Sequence, residues 1–253
     1  MYSSDLKDKD WETIRHYFEF SNGYGNRAIH PRRNLVNGIL YVVKTGCQWR
    51  MLPKDFPPWK TVYGYFRRLS KLGVWGKVLK DLVKIKRMKS GRNEHPSLMI
   101  VDAQSVKTAG KGEKRGFDGG KKIKGRKRQI AVDTQGNVHQ VFVHKANIHD
   151  SKGGAILAYM MLEKENKIKK FLVDLGYRGL FEKVIKLMYK KSVEFSSKIV
   201  GEFIIQPVRW VVERTLAWLN WSRRLSKDYE QKCLHSENII RISAIALLLR
   251  QIH

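Results

Sequence analysis

The feature that most constrains this chain is a change of hydrophobic period near residue 93. Before it, apolar residues recur at helical spacing: Trp11, Ile14 and Phe18; Leu35, Val36, Ile39, Leu40 and Val43; Val62, Tyr65, Phe66 and Leu69; then Val74, Trp75, Val78, Leu79, Leu82 and Val83. Such stripes seat one face of a helix on a core. Asp8 and Asp10 mark one helix start and Pro31 another, while Leu52-Pro53-Lys54-Asp55-Phe56-Pro57-Pro58 reads as a turn. After Ser90-Gly91-Arg92-Asn93-Glu94-His95-Pro96, short apolar runs take over. The run 98–101 ends at Asp102 and the run 171–173 ends at Asp174, each with the continuous apolar character of a buried central strand. Stretches 130–133 and 138–143 flank Gln135-Gly136-Asn137 as a hairpin. Helices are predicted from a cap at Asp150-Ser151 to about Lys164, from about Phe181 to Lys190, from Pro207 to about Leu225 and from Ser236 to Ile252, with a short strand around Phe203 to Ile205. The expectation is an α/β fold. A mixed sheet with flanking helices spans 93–253, preceded by a small all-helical, helix-turn-helix-like domain over 1–92.

Charge narrows the function. Fifty Lys and Arg stand against 23 Asp and Glu, a net charge of +27. With 42% hydrophobic residues there is enough apolar surface for a real core, which excludes a disordered basic tail. An excess of this size fits a polyanionic partner, and nucleic acid rewards each Lys and Arg through counterion release. Residues 1–92 carry 20 basic and 7 acidic side chains and residues 93–253 carry 30 and 16, so both parts are expected to touch the polymer. The segment 107–128 holds ten basic residues, two acidic ones and six glycines, and reads as a flexible cationic loop. Two cysteines, Cys47 and Cys233, exclude a disulfide scaffold or a four-thiolate zinc site. No apolar run approaches the ~20 residues of a membrane span, and no secretory signal is expected after Met1, so the reading is a protein of a reducing compartment with no membrane association.

Asp102 and Asp174 are the first candidates for chemistry. If their strands are parallel neighbours, the two carboxylates lie a few ångströms apart and need a cation between them. Hard oxygen donors suit Mg²⁺ or Mn²⁺. An Asp closing a strand is more often a turn former, so neither residue is decisive alone. Glu213 adds weight. Val208, Val211, Val212, Thr215 and Leu219 form the sheet-facing stripe of its helix, whereas Arg209, Glu213 and Asn220 share a face at the margin of the core. The alternative is a plain Arg209–Glu213 surface pair. Ser105, His144, His149 and Asp150 are weaker candidates, since nothing supplies a paired base and Asp150 reads as a helix cap.

Three segments then become recognisable: Val-Asp102-Ala-Gln-Ser-Val-Lys, Asp174-Leu-Gly-Tyr-Arg-Gly and Arg209-Trp-Val-Val-Glu213-Arg-Thr-Leu-Ala-Trp-Leu. They closely resemble bacterial insertion-sequence transposases of the DDE class, in the insertion-sequence-5 group. Thr45-Gly-Cys-Gln-Trp-Arg-Met-Leu-Pro, Phe56-Pro-Pro-Trp-Lys-Thr-Val-Tyr, Gly119-Gly-Lys-Lys-Ile-Lys-Gly-Arg-Lys-Arg and Arg223-Arg-Leu-Ser-Lys-Asp-Tyr-Glu extend the resemblance over nearly the whole chain. It implies a ribonuclease-H-like catalytic core in which Asp102, Asp174 and Glu213 bind two divalent ions, Mg²⁺ or Mn²⁺, for cleavage of element ends and their joining to target DNA. It also implies a double-stranded DNA partner, at least a dimer, and a cytoplasmic, nucleoid-associated bacterial protein. Arg209, Tyr177 and Arg178 are the expected DNA contacts near the acids. Lys121, Lys122, Lys124, Arg126, Lys127 and Arg128 are expected contacts from the basic segment, and Arg67 and Arg68 from the helical one. The alternative is a catalytically inactive, transposase-derived DNA-binding protein.

Overall fold

The computed structural model describes residues 2–19, 29–163, 167–196 and 209–253. The first part is helical: α1 (Asp8–Ile14), α2 (Arg32–Thr45), α3 (Trp59–Lys71) and α4 (Val74–Lys89). Each buries the stripe that its spacing predicts, as in α3 with Val62, Tyr65, Phe66 and Leu69 inward and Arg67 and Arg68 outward. The rest alternates β1 (Leu98–Lys107), β2 (Gly116–Asp118), β3 (Ile123–Val132), β4 (Val138–Lys145), α5 (Asp150–Leu162), β5 (Lys170–Val173), α6 (Leu180–Lys183) with a π-helical continuation, β6 (Ser192–Phe195), α7 (Trp210–Asn220) and α8 (Cys233–Ile252).

Among the described residues the strands form one mixed sheet. β3 pairs antiparallel with β1 on one side and with β4, plus the short β2, on the other; beyond β1 the sheet continues parallel through β5 to β6. Three antiparallel strands followed by two parallel ones, with helices on both faces, make a ribonuclease-H-like α/β fold. The β3–β4 hairpin turns at Gly136, whose φ of +89° only glycine adopts without strain. Asp133 fixes that turn by accepting from the backbone N–H groups of Gln135 (2.9 Å) and Asn137 (3.0 Å).

Alternation along the strands sorts the core into two layers. Ile100, Ile130 and Leu172 face α7, α8 and the N-terminal helices in one continuous cluster that runs from Leu6 to Ile252. Met99, Val101, Ala131, Phe171 and Val173 face α5 and α6, where Leu157, Tyr177 and Phe181 complete a second cluster. The helical segment thus shares its core with α8 and one face of the sheet. No helix among the described residues is long and apolar enough to cross a membrane.

Several expectations need correction. The basic segment is not a loop through to residue 128: β2 and β3 occupy 116–118 and 123–132, and positions 125–132 are buried. The cap of α5 is His149, whose ring nitrogen accepts from Ser151 N, and Asp150 is the first helical residue. The helix expected from Pro207 to about Leu225, described from Trp210, ends at Asn220, with a separate 3₁₀ turn at Arg223–Leu225, and the last helix starts at Cys233. β6 was not foreseen, because a four-residue alternating stretch carries little periodic signal. The strand expected around Phe203 to Ile205, and Pro207 and Val208, lie outside the described residues.

Candidate active site

β1 and β5 are parallel neighbours, in register at Leu98 with Lys170, Met99 with Phe171 and Ile100 with Leu172. Two residues further along each strand direction stand Asp102 and Asp174. Because side chains repeat every second residue, both acids fall on the face that carries Ile100 and Leu172, the face covered by α7. Adjacent strands lie about 4.8 Å apart. The pairing therefore brings together two acids separated by 72 positions of chain.

Asp102 accepts from Ala103 N at 2.7 Å. Burial and the neighbouring Asp174 charge push its carboxyl up to about 6, against the opposing pull of the Ala103 N–H, Arg209 and Lys121; burial is the largest cause. Asp174 ends β5, accepts from Gly176 N at 2.9 Å and opens a 3₁₀ turn at Leu175–Tyr177. Asp174 is thus a turn former whose second oxygen lies toward Arg209.

α7 delivers the third acid. Val211, Val212, Thr215 and Leu219 are buried against the sheet, each apolar one contributing about 1.5–3 kcal/mol of burial. Glu213 is left on the margin with a side chain 57% exposed. One nitrogen of Arg209, Nη2, lies 3.6 Å from Glu213 Oε1 and 3.9 Å from Asp174 Oδ2, and its charge also acts on Asp102. Two of the three acids thus flank one guanidinium, whose charge is also felt by the third. Their donor chemistry, all carboxylate oxygen, fits a hard divalent cation. Among the described residues, however, no group of three or more His, Cys, Asp or Glu is gathered closely enough to hold a metal ion.

Behind the acids lies a polar layer that sequence reasoning missed. The Tyr177 hydroxyl donates to Gln129 Oε1 at 2.5 Å, Gln129 Nε2 donates to Asp150 Oδ1 at 3.4 Å, and Lys127 Nζ sits 2.9 Å from the same oxygen. Ser105, across the sheet from Lys127, donates to Asp118 at 2.6 Å. Tyr177 is fully buried, and burial raises its hydroxyl pKa well above the ordinary value, so it stays a neutral donor. The only local signal for this layer is the alternation of Lys127 and Gln129 along β3.

The expected DNA contacts divide by burial. Lys121, Lys122 and Lys124 are exposed at the β2–β3 end of the sheet, and Lys121 Nζ also donates to Ala103 O, beside Asp102. Arg178 is exposed over the Phe195 ring, and Arg67 and Arg68 are exposed over Tyr63 and Tyr65. Arg126, Lys127, Arg128 and Tyr177 are corrected, because their polar groups are committed inside the protein. Arg126 is 0% exposed and donates to Asp228, to the Glu113, Glu230 and Gln231 carbonyls; Arg128 donates to the Leu225 and Lys227 carbonyls.

This ribonuclease-H-like α/β fold defines a class of nucleic-acid-acting domains that the family comparisons narrow. Residues 93–249 match the model of the transposase DDE domain, and residues 6–79 match the model of IS4/5-family transposases (DUF4096). The chain belongs to the DDE transposases, in the IS4/5 group, whose members act on DNA with divalent metal ions. No match was found among curated proteins or among solved structures.

Proposed function

We propose that this chain cuts the ends of its own insertion element and joins them to target DNA, with Asp102, Asp174 and Glu213 as the carboxylates that hold two divalent ions, Mg²⁺ or Mn²⁺. The observation that carries this reading is the parallel β1–β5 register: continued two residues past Ile100 and Leu172 it leads to Asp102, inside β1, and Asp174, just beyond the end of β5, on the face that α7 covers. When bound, such ions supply Lewis acidity for in-line displacement at phosphorus. The protein's own residues do the rest. Arg209 is suited to grip a phosphate bidentately. Lys121, Lys122, Lys124 and Arg178, with Arg67 and Arg68 on α3, are exposed cations suited to meet DNA phosphates. Tyr177, Gln129, Asp150 and Lys127 are positioning residues that hold β3 and the Asp174 turn behind the acids. Joining two ends requires at least a dimer.

The test is cleavage of duplex DNA bearing the element's ends. Strand cleavage that requires Mg²⁺ or Mn²⁺ and the end sequence, and that disappears in Asp102→Asn, Asp174→Asn and Glu213→Gln with DNA binding retained, is expected. Cleavage of any duplex alike would make the chain a general nuclease. DNA binding without cleavage would make it an inactive derivative. Full cleavage by Asp102→Asn would remove the acid assignment.

A further inference from the structure

Arg209 occupies an unusual place. Its Nη2 lies between carboxylates from two different elements, 3.9 Å from Asp174 and 3.6 Å from Glu213, and its charge reaches a third at Asp102. Carboxylates crowded together need a cation, and here the protein supplies one of its own. Both separations exceed the 2.7–3.2 Å of a hydrogen bond, so the guanidinium neutralises the acids without being locked onto them. A guanidinium is also far bulkier than Mg²⁺, whose oxygen ligands stand at about 2.1 Å, and with Arg209 between Asp174 and Glu213 no cluster of acids among the described residues is close enough to hold such an ion.

We propose that Arg209 is a built-in counter-cation, which sits in the acid cluster while the protein is free and transfers to a DNA phosphate when the substrate arrives. The inference rests on the acid assignment above. Phosphate is the partner that can draw Arg209 away, because its oxygens match the guanidinium fork with two short, charge-assisted hydrogen bonds in place of two long ion pairs. Transfer leaves Asp174 and Glu213 uncompensated at the moment DNA is bound. Divalent-metal binding and DNA binding therefore reinforce one another, and by reciprocity each tightens the other by the same factor. The free protein carries a weak metal site, and the DNA-bound protein a strong one.

The experiment is a Mn²⁺ titration of the full chain, reading free Mn²⁺ by electron paramagnetic resonance, with and without a short duplex of arbitrary sequence. Without DNA, Arg209→Gln is expected to bind Mn²⁺ about tenfold more tightly than the parent, and Arg209→Lys, which keeps the charge, to stay weak. In the parent, DNA tightens Mn²⁺ binding; in Arg209→Gln that tightening shrinks towards none. Loss of a bystander charge would tighten both states alike and leave the DNA-induced ratio unchanged, so an unchanged ratio overturns the proposal. So does an Arg209→Gln affinity equal to the parent's when Asp102→Asn abolishes binding, which leaves the acid assignment standing. If Asp102→Asn binds Mn²⁺ as well as the parent, the acid assignment itself fails and takes the counter-cation with it. Thermal melts of each variant separate these outcomes from unfolding.

Discussion

Two aspartates illustrate opposite uses of a carboxylate. Asp102 titrates near 6 because burial and Asp174 disfavour its charge. An acid whose pKa is higher in the folded state than in the unfolded one weakens the fold when ionised, and the penalty fades as pH falls below about 6. The effect is bounded at about 3 kcal/mol, less whatever the partial solvent access of the site screens. Asp102→Asn should therefore raise the thermal midpoint of the metal-free protein at pH 8 while abolishing cleavage, a stability gain at the expense of function. A lower midpoint in calorimetry would contradict it. Asp133 behaves in the other sense. Despite burial, hydrogen bonds and charge from His139, Asn137 and Arg87 hold its carboxyl far below the usual range, and Arg87 reaches it at 2.5 Å with both side chains almost sealed from water. Its stabilisation is full above the unfolded value near 4 and drains away as pH falls below that. Asp133→Ala strands Arg87 and should cost about 3–5 kcal/mol at pH 7 in urea unfolding, with the gap to the parent narrowing below pH 4.

At the scale of elements, α5 and β3 repay attention because both break simple sequence rules. Gly153 and Gly154 sit inside α5, where glycine normally costs about 1 kcal/mol relative to alanine. A Cβ on Gly154 would lie 2.4 Å from Tyr177 Cε1, so the helix gives up propensity to let that ring reach Gln129 beneath the acids. Gly154→Ala is accordingly expected to lower stability by about 1–3 kcal/mol, not raise it, and to slow cleavage by displacing the Asp174 turn. Chemical denaturation reads the sign directly. The four N-terminal helices, the first half of β1 and the hairpin were legible because each announces itself within a few residues, by period or turn chemistry; the carboxylate of Asp102 looks like a strand end, but β1 runs on through it to Lys107. β3 was not. Arg126 and Arg128 look like surface charge until Asp228 and the carbonyls of 225–231, a hundred residues away, are folded against them. Burial pulls Arg128 down to about 10, and Asp228 resists that pull. Partners so remote leave no trace in local spacing, which is also why the Tyr177–Gln129–Asp150–Lys127 layer went unread.

Across the whole molecule the positive charge does two separate jobs. One set of cations is structural: Arg87, Arg126, Arg128, Arg224 and Arg241 are buried and bind acids or carbonyls that tie helices, sheet and the 226–232 segment together. Another set, including Lys121, Lys122, Lys124, Arg178, Arg67 and Arg68, faces water and is free to meet phosphate. Composition counts both alike, so the net charge of +27 overstates the DNA-facing surface. Salt dependence separates them, because each phosphate neutralised adds about 0.9 to the slope of log affinity against log salt. Replacing Lys121, Lys122 and Lys124 together with alanine should flatten that slope by up to about 3 and leave the melting temperature within a degree or two, since surface changes of this kind stay near 0.5 kcal/mol each. Arg126→Ala should do the reverse. It removes the buried guanidinium that pairs with Asp228 and donates to the Glu113, Glu230 and Gln231 carbonyls, so the expected loss is about 3 kcal/mol of stability, with an unchanged salt slope in whatever fraction remains folded. Fluorescence anisotropy on a labelled duplex at four or five salt concentrations, paired with thermal melts, gives both numbers for both variants. A steep slope that survives the triple lysine change would move the DNA track away from the β2–β3 end of the sheet and onto α3.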